Sequence, residues 1–169
     1  MFEQRVLGVD PGTAAIGLAV VEGSAQQQSV AWAATVRTPT ALPPAERLRR
    51  LHATVTEVIR THQPGTVALE SLMWGQNRQS AMQVARATGV IMLAAAQAGL
   101  AVEEYPPLQV KMAVTGVGNA PKDAVQRALV RILGVRGVPS ELDAADAVAT
   151  AVCHLQHVRL RRVKETAAP

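Results

Sequence analysis

What most constrains this chain is a short apolar run that ends in an acid and a turn, Arg5-Val6-Leu7-Gly8-Val9-Asp10-Pro11-Gly12. Val, Leu and Val favour a buried strand, and Pro11 with Gly12 is not expected to extend one, so the strand should stop at Asp10. The same device returns at Thr66-Val67-Ala68-Leu69-Glu70, again apolar residues closed by a carboxylate. Between them, Ile16 to Val21 and Ser29 to Arg37 read as two more strands of an antiparallel meander. Pro43-Pro44 then opens a helix with Leu48, Leu51, Val55, Val58 and Ile59 on one stripe, and Gln63-Pro64-Gly65 stops it. Arg47, Arg49, Arg50 and Arg60 lie mostly off that stripe and read as a solvated face. A helix between the first and fourth strands permits parallel pairing, and a right-handed crossover sets both strand tips on one sheet edge. Ligands gather at the carboxyl ends of such strands. Asp10 and Glu70 are therefore expected as neighbours, repelling each other unless a cation joins them.

After Glu70 comes a polar link, Ser71 to Arg78, carrying the pair Met73-Trp74. These two residues either plug the core beneath the link or stack on unpaired bases. A helix from about Gln79 to Ala98 follows, with Ala81, Val84, Ala85, Thr88 and Met92 on one face and Gly89 open to close approach by another backbone. Ala101 to Tyr105 reads as a fifth strand, and Leu108 to Val114 as a short helix carrying Lys111. The loop Thr115 to Lys122 holds two glycines and leads into a helix whose stripe is Val125, Ala128, Leu129 and Ile132. Asn119 is a candidate cap, and the helix N-terminus could hold phosphate. Pro139-Ser140 starts the last helix, where Asp143 and Asp146, three apart, share a face. Both could simply complement the helix dipole. They are nonetheless half of the aspartates in the chain, which has only Asp10, Asp123, Asp143 and Asp146. The small apolar residues Val148 to Cys153 predict close packing of this helix on something beneath it.

At 169 residues, 49% hydrophobic and 18% charged, the chain reads as one globular domain. Residues 1–158 are expected to form it, and 159–169 a basic, disordered tail. The net charge of +4 permits a polyanionic partner. Lone Cys153 excludes an internal disulfide and a zinc cluster, and no apolar run reaches the roughly 18 residues of a membrane span. A cytoplasmic protein without a membrane partner is expected.

An acid at a first strand end, an acid at a fourth, and an Asp-x-x-Asp pair opening the last helix resemble the metal-binding pattern of the ribonuclease H-like nucleases. More narrowly, the chain resembles the RuvC family of Holliday-junction resolvases over nearly its whole length. The resemblance rests on Gly8-Val9-Asp10-Pro11-Gly12, Ala68-Leu69-Glu70, Asn77 with Ser80-Ala81, and Gln109-Val110-Lys111. It continues through Gly116 with Gly118, Lys122, and Asp143-Ala144-Ala145-Asp146-Ala147. It implies an α/β fold with a mixed five-stranded sheet, an antiparallel meander then parallel strands, flanked by helices. It implies a homodimer, through the small-faced helix after Asn77, that nicks four-way DNA junctions symmetrically, leaving 5′-phosphate and 3′-hydroxyl ends, alongside RuvA and RuvB. Asp10, Glu70, Asp143 and Asp146 match the family's catalytic carboxylates, and Lys111 and Lys122 match lysines important for cleavage. Where the family commonly carries Phe, this chain has Met73 followed by Trp74. DNA contacts are accordingly expected at Met73, Trp74, Asn77, Arg78, Lys111 and Lys122.

Phosphodiester hydrolysis agrees with this set. Two divalent cations, Mg²⁺ or Mn²⁺, suit hard oxygen ligands and can activate water and stabilise the leaving oxygen. Asp10 is expected as bridging ligand, Glu70 and Asp146 as outer ligands, and Asp143 as ligand or water-orienting base. Lys122 would offset phosphorane charge and Lys111 hold backbone phosphate. Three rivals stand beside this reading. Asp10-Pro11-Gly12-Thr13 with Gly17 also looks like the phosphate hairpin of sugar kinases and actin-like ATPases, which need two such lobes. A ribonuclease H-like nuclease acting on RNA, such as the YqgF group, is closer. A non-cleaving junction scaffold has no need of four carboxylates.

Overall fold

The computed structural model describes residues 4–12, 15–24, 26–71 and 78–166. Strands β1 (Gln4–Pro11), β2 (Ala15–Gly23) and β3 (Gln28–Arg37) form the expected antiparallel meander. Helix α1 (Pro44–His62) crosses to β4 (Thr66–Glu70), and α2 (Arg78–Gln97) leads to β5 (Ala101–Tyr105). Helices α3 (Pro107–Thr115), α4 (Lys122–Arg131) and α5 (Leu142–Thr166) complete the chain. The sheet order is β3-β2-β1-β4-β5, with β4 parallel to both β1 and β5. That is the mixed five-stranded architecture the sequence implies.

Strand alternation divides the interior in two. Leu7, Val9, Leu18, Val20, Val67 and Leu69 point to one face, where they pack with Leu51, Val55, Ile91 and Ala95 of α1 and α2. Val6, Ala19, Val21 and Ala68 point to the other, against Ala147, Val148, Ala151 and Val152 of α5. The second face is built from small residues, and α5 lies very close to it. A Cβ placed on Gly8 would fall 2.1 Å from the Ala147 carbonyl oxygen, and one on Gly17 only 1.8 Å from that of Asp143. Interior glycines weaken a strand, and here they give the helix backbone its seat.

Several local expectations change. Pro11 continues β1, paired with Ile16, because it lies beyond Val9↔Leu69, the last β1–β4 pair, and so keeps a single neighbour. The buried line on α2 runs through Ala81, Val84, Ala87, Ile91, Ala94 and Ala95, leaving Ala85 exposed and Met92 half-buried. Small residues on every side of that helix make its stripe ambiguous in sequence. A Cβ on Gly89 would meet nothing within 4 Å, so among the described residues no other backbone approaches it. Pro121, not Asn119, precedes α4, and no side chain caps that helix. Ile132 is 71% exposed, since the chain turns at Gly134 and sends Val135 into the core instead. Residues 159–166, expected as a disordered tail, are the last turns of α5, and Arg161 reaches Glu103 at 3.1 Å. The α1 arginines behave as a solvated face: Arg49 and Arg50 pair with Glu46, and Arg60 with Glu57. Arg47 differs, being half-buried with its Nε donating to Thr38 Oγ1 at 2.9 Å.

Candidate active site

Parallel pairing of β1 with β4 brings the two strand-end acids together. Val9 pairs with Leu69, so Asp10 and Glu70 are the next residues on adjacent strands. By alternation both share the side of Gly8 and Ala68, the face that α5 covers. Asp10 pairs across β2 with Gly17, and the backbone of Asp143 rests on Gly17. The first turn of α5 is thus held directly over the sheet edge, with Asp143 and Asp146 on it. Four carboxylates from three distant segments of the sequence share one end of the molecule.

Their electrostatics show the crowding. Burial, then the charges of Asp146 and Asp143, push Asp10 from 3.8 up to about 6, against an opposing pull from Lys122. Burial, then Asp10 and Asp146, push Glu70 from 4.5 up to about 7, with Lys122 and Lys111 pulling down. At about 1.4 kcal/mol per unit, ionising either carboxylate beside its charged neighbours costs the folded state roughly 3 kcal/mol. Lys122, at the start of α4, donates from Nζ to Asp146 Oδ2 at 2.5 Å and lies 3.9 Å from Asp143 Oδ1. Burial works to lower its ammonium, but the Asp146 bond and the surrounding carboxylates outweigh this and raise it. Lys111 lies on α3, half-buried and near enough to act on Glu70.

Among the described residues, no three acidic, His or Cys side chains are drawn into a single ligand set. The Lys122 ammonium meets part of the negative charge instead. The donor set still fits a hard divalent cation: it is all carboxylate oxygen, and a cation would offset both the burial and the repulsion that raise Asp10 and Glu70. Met73, Trp74 and Asn77, and the side chain of Arg78, lie outside the described residues. The Thr115 to Lys122 loop is ordered by its own chain, Thr115 Oγ1 accepting from Val117 N–H at 3.0 Å. Sequence reasoning missed Gly8 and Gly17 as site residues. Their signal was there: a glycine inside a strand pattern marks a close backbone approach.

A three-strand meander continued by two parallel strands, helices on both faces and acids at the strand ends define a ribonuclease H-like nuclease. The family described as crossover junction endodeoxyribonuclease RuvC matches residues 6–154. The chain belongs to the RuvC family. It is 45% identical over 163 residues to the crossover junction endodeoxyribonuclease RuvC of Moorella thermoacetica, covering 96% of this chain and 98% of that one. It is also similar to the T. thermophilus RuvC solved in complex with a Holliday junction substrate. There the TM-score is 0.86 and the identity 35%, over 94% of this chain and 96% of that one. A yeast mitochondrial Holliday junction resolvase, 11% identical, shares the fold at a TM-score of 0.69, over 94% of this chain and 82% of that one.

Proposed function

We propose that this chain is a metal-dependent DNA endonuclease that resolves four-way junctions in recombination and repair. The observation that carries the reading is the convergence of Asp10 and Glu70, side by side on parallel strands, beneath Asp143 and Asp146 of α5. Bound divalent cations, two Mg²⁺ or Mn²⁺ per site, would supply an activated water and a charged clamp on the leaving oxygen. Asp10, which feels Glu70 on one side and Asp146 and Asp143 on the other, suits a shared ligand. Glu70 and Asp146 would serve as outer ligands. Asp143, about one-third exposed, is open to water and acts as ligand or as the base that orients it. Lys122 holds a positive charge within 4 Å of Asp143 and Asp146, placed to offset charge that builds on phosphate. Lys111 grips backbone phosphate beside Glu70. Cleavage leaves 5′-phosphate and 3′-hydroxyl ends.

The same reading makes the protein a homodimer. Met82 and Leu93 of α2 are each more than half exposed, on a face with Ala85 and open Gly89, which supports a second copy docking there. RuvA and RuvB are its expected partners, and the cytoplasm its place. Buried, unpaired Cys153 suits a reducing compartment, and among the described residues no helix is long and apolar enough to cross a membrane. Stacking on junction bases is assigned to Trp74, or to Met73 as a softer wedge, with Asn77 and Arg78 as further DNA contacts.

Asp10→Asn is expected to leave four-way-junction binding intact or tighter while removing Mg²⁺- or Mn²⁺-dependent nicking. Gel shift and cleavage of a synthetic junction measure both, beside linear duplex and an RNA–DNA hybrid. Nicking at the wild-type rate would overturn the site, and preference for the hybrid would move the substrate to RNA. Trp74→Ala is expected to weaken cutting more than binding; unchanged cleavage would return Trp74 to a core role.

A further inference from the structure

We propose that Tyr105 is a positioning residue for the acidic site, tying the strand end that carries Glu70 to the helix that carries Asp143 and Asp146 through a buried bond to His154. The inference rests on the reading of those carboxylates as cation ligands. Tyr105 closes β5 and is the register partner of Glu70. Just beyond that pair, Ser71 N–H donates to the Tyr105 carbonyl at 2.9 Å, so the backbone on the far side of Glu70 is clamped to the same residue. The Tyr105 side chain turns into the α5 face, only 3% exposed, among alanines and valines. There its hydroxyl meets Nδ1 of His154 at 2.9 Å, with the rings edge-on at 77°. His154 is 4% exposed and lies on α5.

A second contact extends the brace to α3. The His157 ring lies 5.3 Å from that of Tyr105. Its Nδ1 is 2.9 Å from the Cys153 carbonyl, which can only accept, so Nδ1 carries the proton. Nε2 is then the acceptor for the Gln109 amide at 2.7 Å, two residues before Lys111. Tyr105 is therefore wedged between His154 and His157, and through them the Glu70 strand end, the Lys111 helix and the Asp143–Asp146 helix are held in one polar cluster. The small residues of this face could be completed by an apolar side chain without any buried hydroxyl. A buried hydroxyl–imidazole bond is directional where apolar packing is not, and it leaves its partner unsatisfied if broken. Without it, α5 and the β4–β5 end can shift against each other. Residues that orient metal ligands typically carry roughly 10–100-fold in metal affinity, and Tyr105 acts through one further link.

The test uses the full-length protein with Tyr105→Phe, His154→Leu and the double variant. Mn²⁺ binding without DNA is measured by calorimetry, and junction nicking is titrated against Mn²⁺. Tyr105→Phe is expected to weaken Mn²⁺ binding about tenfold. Nicking should recover at saturating Mn²⁺, and junction affinity in Ca²⁺ should be unchanged. The double variant should bind Mn²⁺ no worse than the weaker single. Wild-type Mn²⁺ binding by Tyr105→Phe, even with a lowered melting temperature, would reduce Tyr105 to a core contact and overturn the proposal, as would additive losses in the double variant. Asp10→Asn separates the two levels. If it binds Mn²⁺ like wild type, the ligand assignment itself fails; if it loses binding while Tyr105→Phe keeps it, only the brace fails.

Discussion

The two faces of the one sheet are built to opposite specifications. Against α1 and α2 the strands present Leu7, Val9, Leu18, Val20 and Leu69, and full aliphatic side chains of the sheet stand between it and the helices. Charge on that side is outermost, in exposed ion pairs such as Glu46 with Arg49 and Arg50. Against α5 the strands present Gly8, Gly17, Ala19 and Ala68, and the helix backbone comes down onto the sheet. Charge on that side is gathered inward, at Asp10 and Glu70. The first face is an ordinary core whose gain is apolar area. The second gives up side-chain volume to place one helix terminus within reach of two strand ends.

Filling each face should therefore fail differently. Gly17→Val pushes on the Asp143 carbonyl and has no space to occupy; we expect nicking to disappear, with a loss of about 3 kcal/mol in denaturant unfolding. Leu51→Ala, on the buried side of α1, should cost a similar or larger amount, about 2–5 kcal/mol, yet keep its Mn²⁺ requirement wherever it remains folded. Equal damage to cleavage from both would erase the distinction between the faces.

The pH response should also differ in sign. Asp10 at about 6 and Glu70 at about 7 bind protons more tightly folded than unfolded. The stability this confers is complete below about pH 4 and is lost as pH rises through 6 to 7, up to roughly 3 kcal/mol per group. Without metal, the melting temperature should fall between pH 5 and pH 8, and Glu70→Gln should flatten the fall. Glu46 goes the other way: hydrogen bonds from Arg49 and Arg50 hold it down to about 2. Its contribution is present above its unfolded value and is lost only as pH falls toward 2. A melting temperature that rises from pH 5 to pH 8 in EDTA would contradict the buried-acid account. The smallest effect is expected at the outermost pair, where Arg60→Ala should leave both melting temperature and nicking at wild-type values.

Much of this is legible in the sequence because it depends on short-range rules. The two apolar strands that carry Asp10 and Glu70 at or beside their ends, the crossover helix between them, and the three-residue spacing of Asp143 and Asp146 follow from periodicity and turn chemistry. The α2 face is harder, since alanines stand on every side of that helix and apolar Met82 and Leu93 lie on its exposed face, leaving little contrast to read. Ile132 is exposed and Val135 buried because a turn at Gly134, not helical periodicity, decides which side chain goes inward. The basic end reads as a tail on charge alone, whereas Glu103 on β5 receives Arg161 and α5 continues.

The sequence by itself determined the elements and the acids: which segments are strands, and that carboxylates stand at or beside their ends. Only the tertiary structure decided how closely the acids meet. Parallel register between β1 and β4 set Asp10 beside Glu70. The absence of a Cβ at Gly8 and Gly17 let α5 descend onto them. Such distances depend on contacts between residues far apart in the chain, and no local propensity encodes the separation of two backbones that touch only after folding.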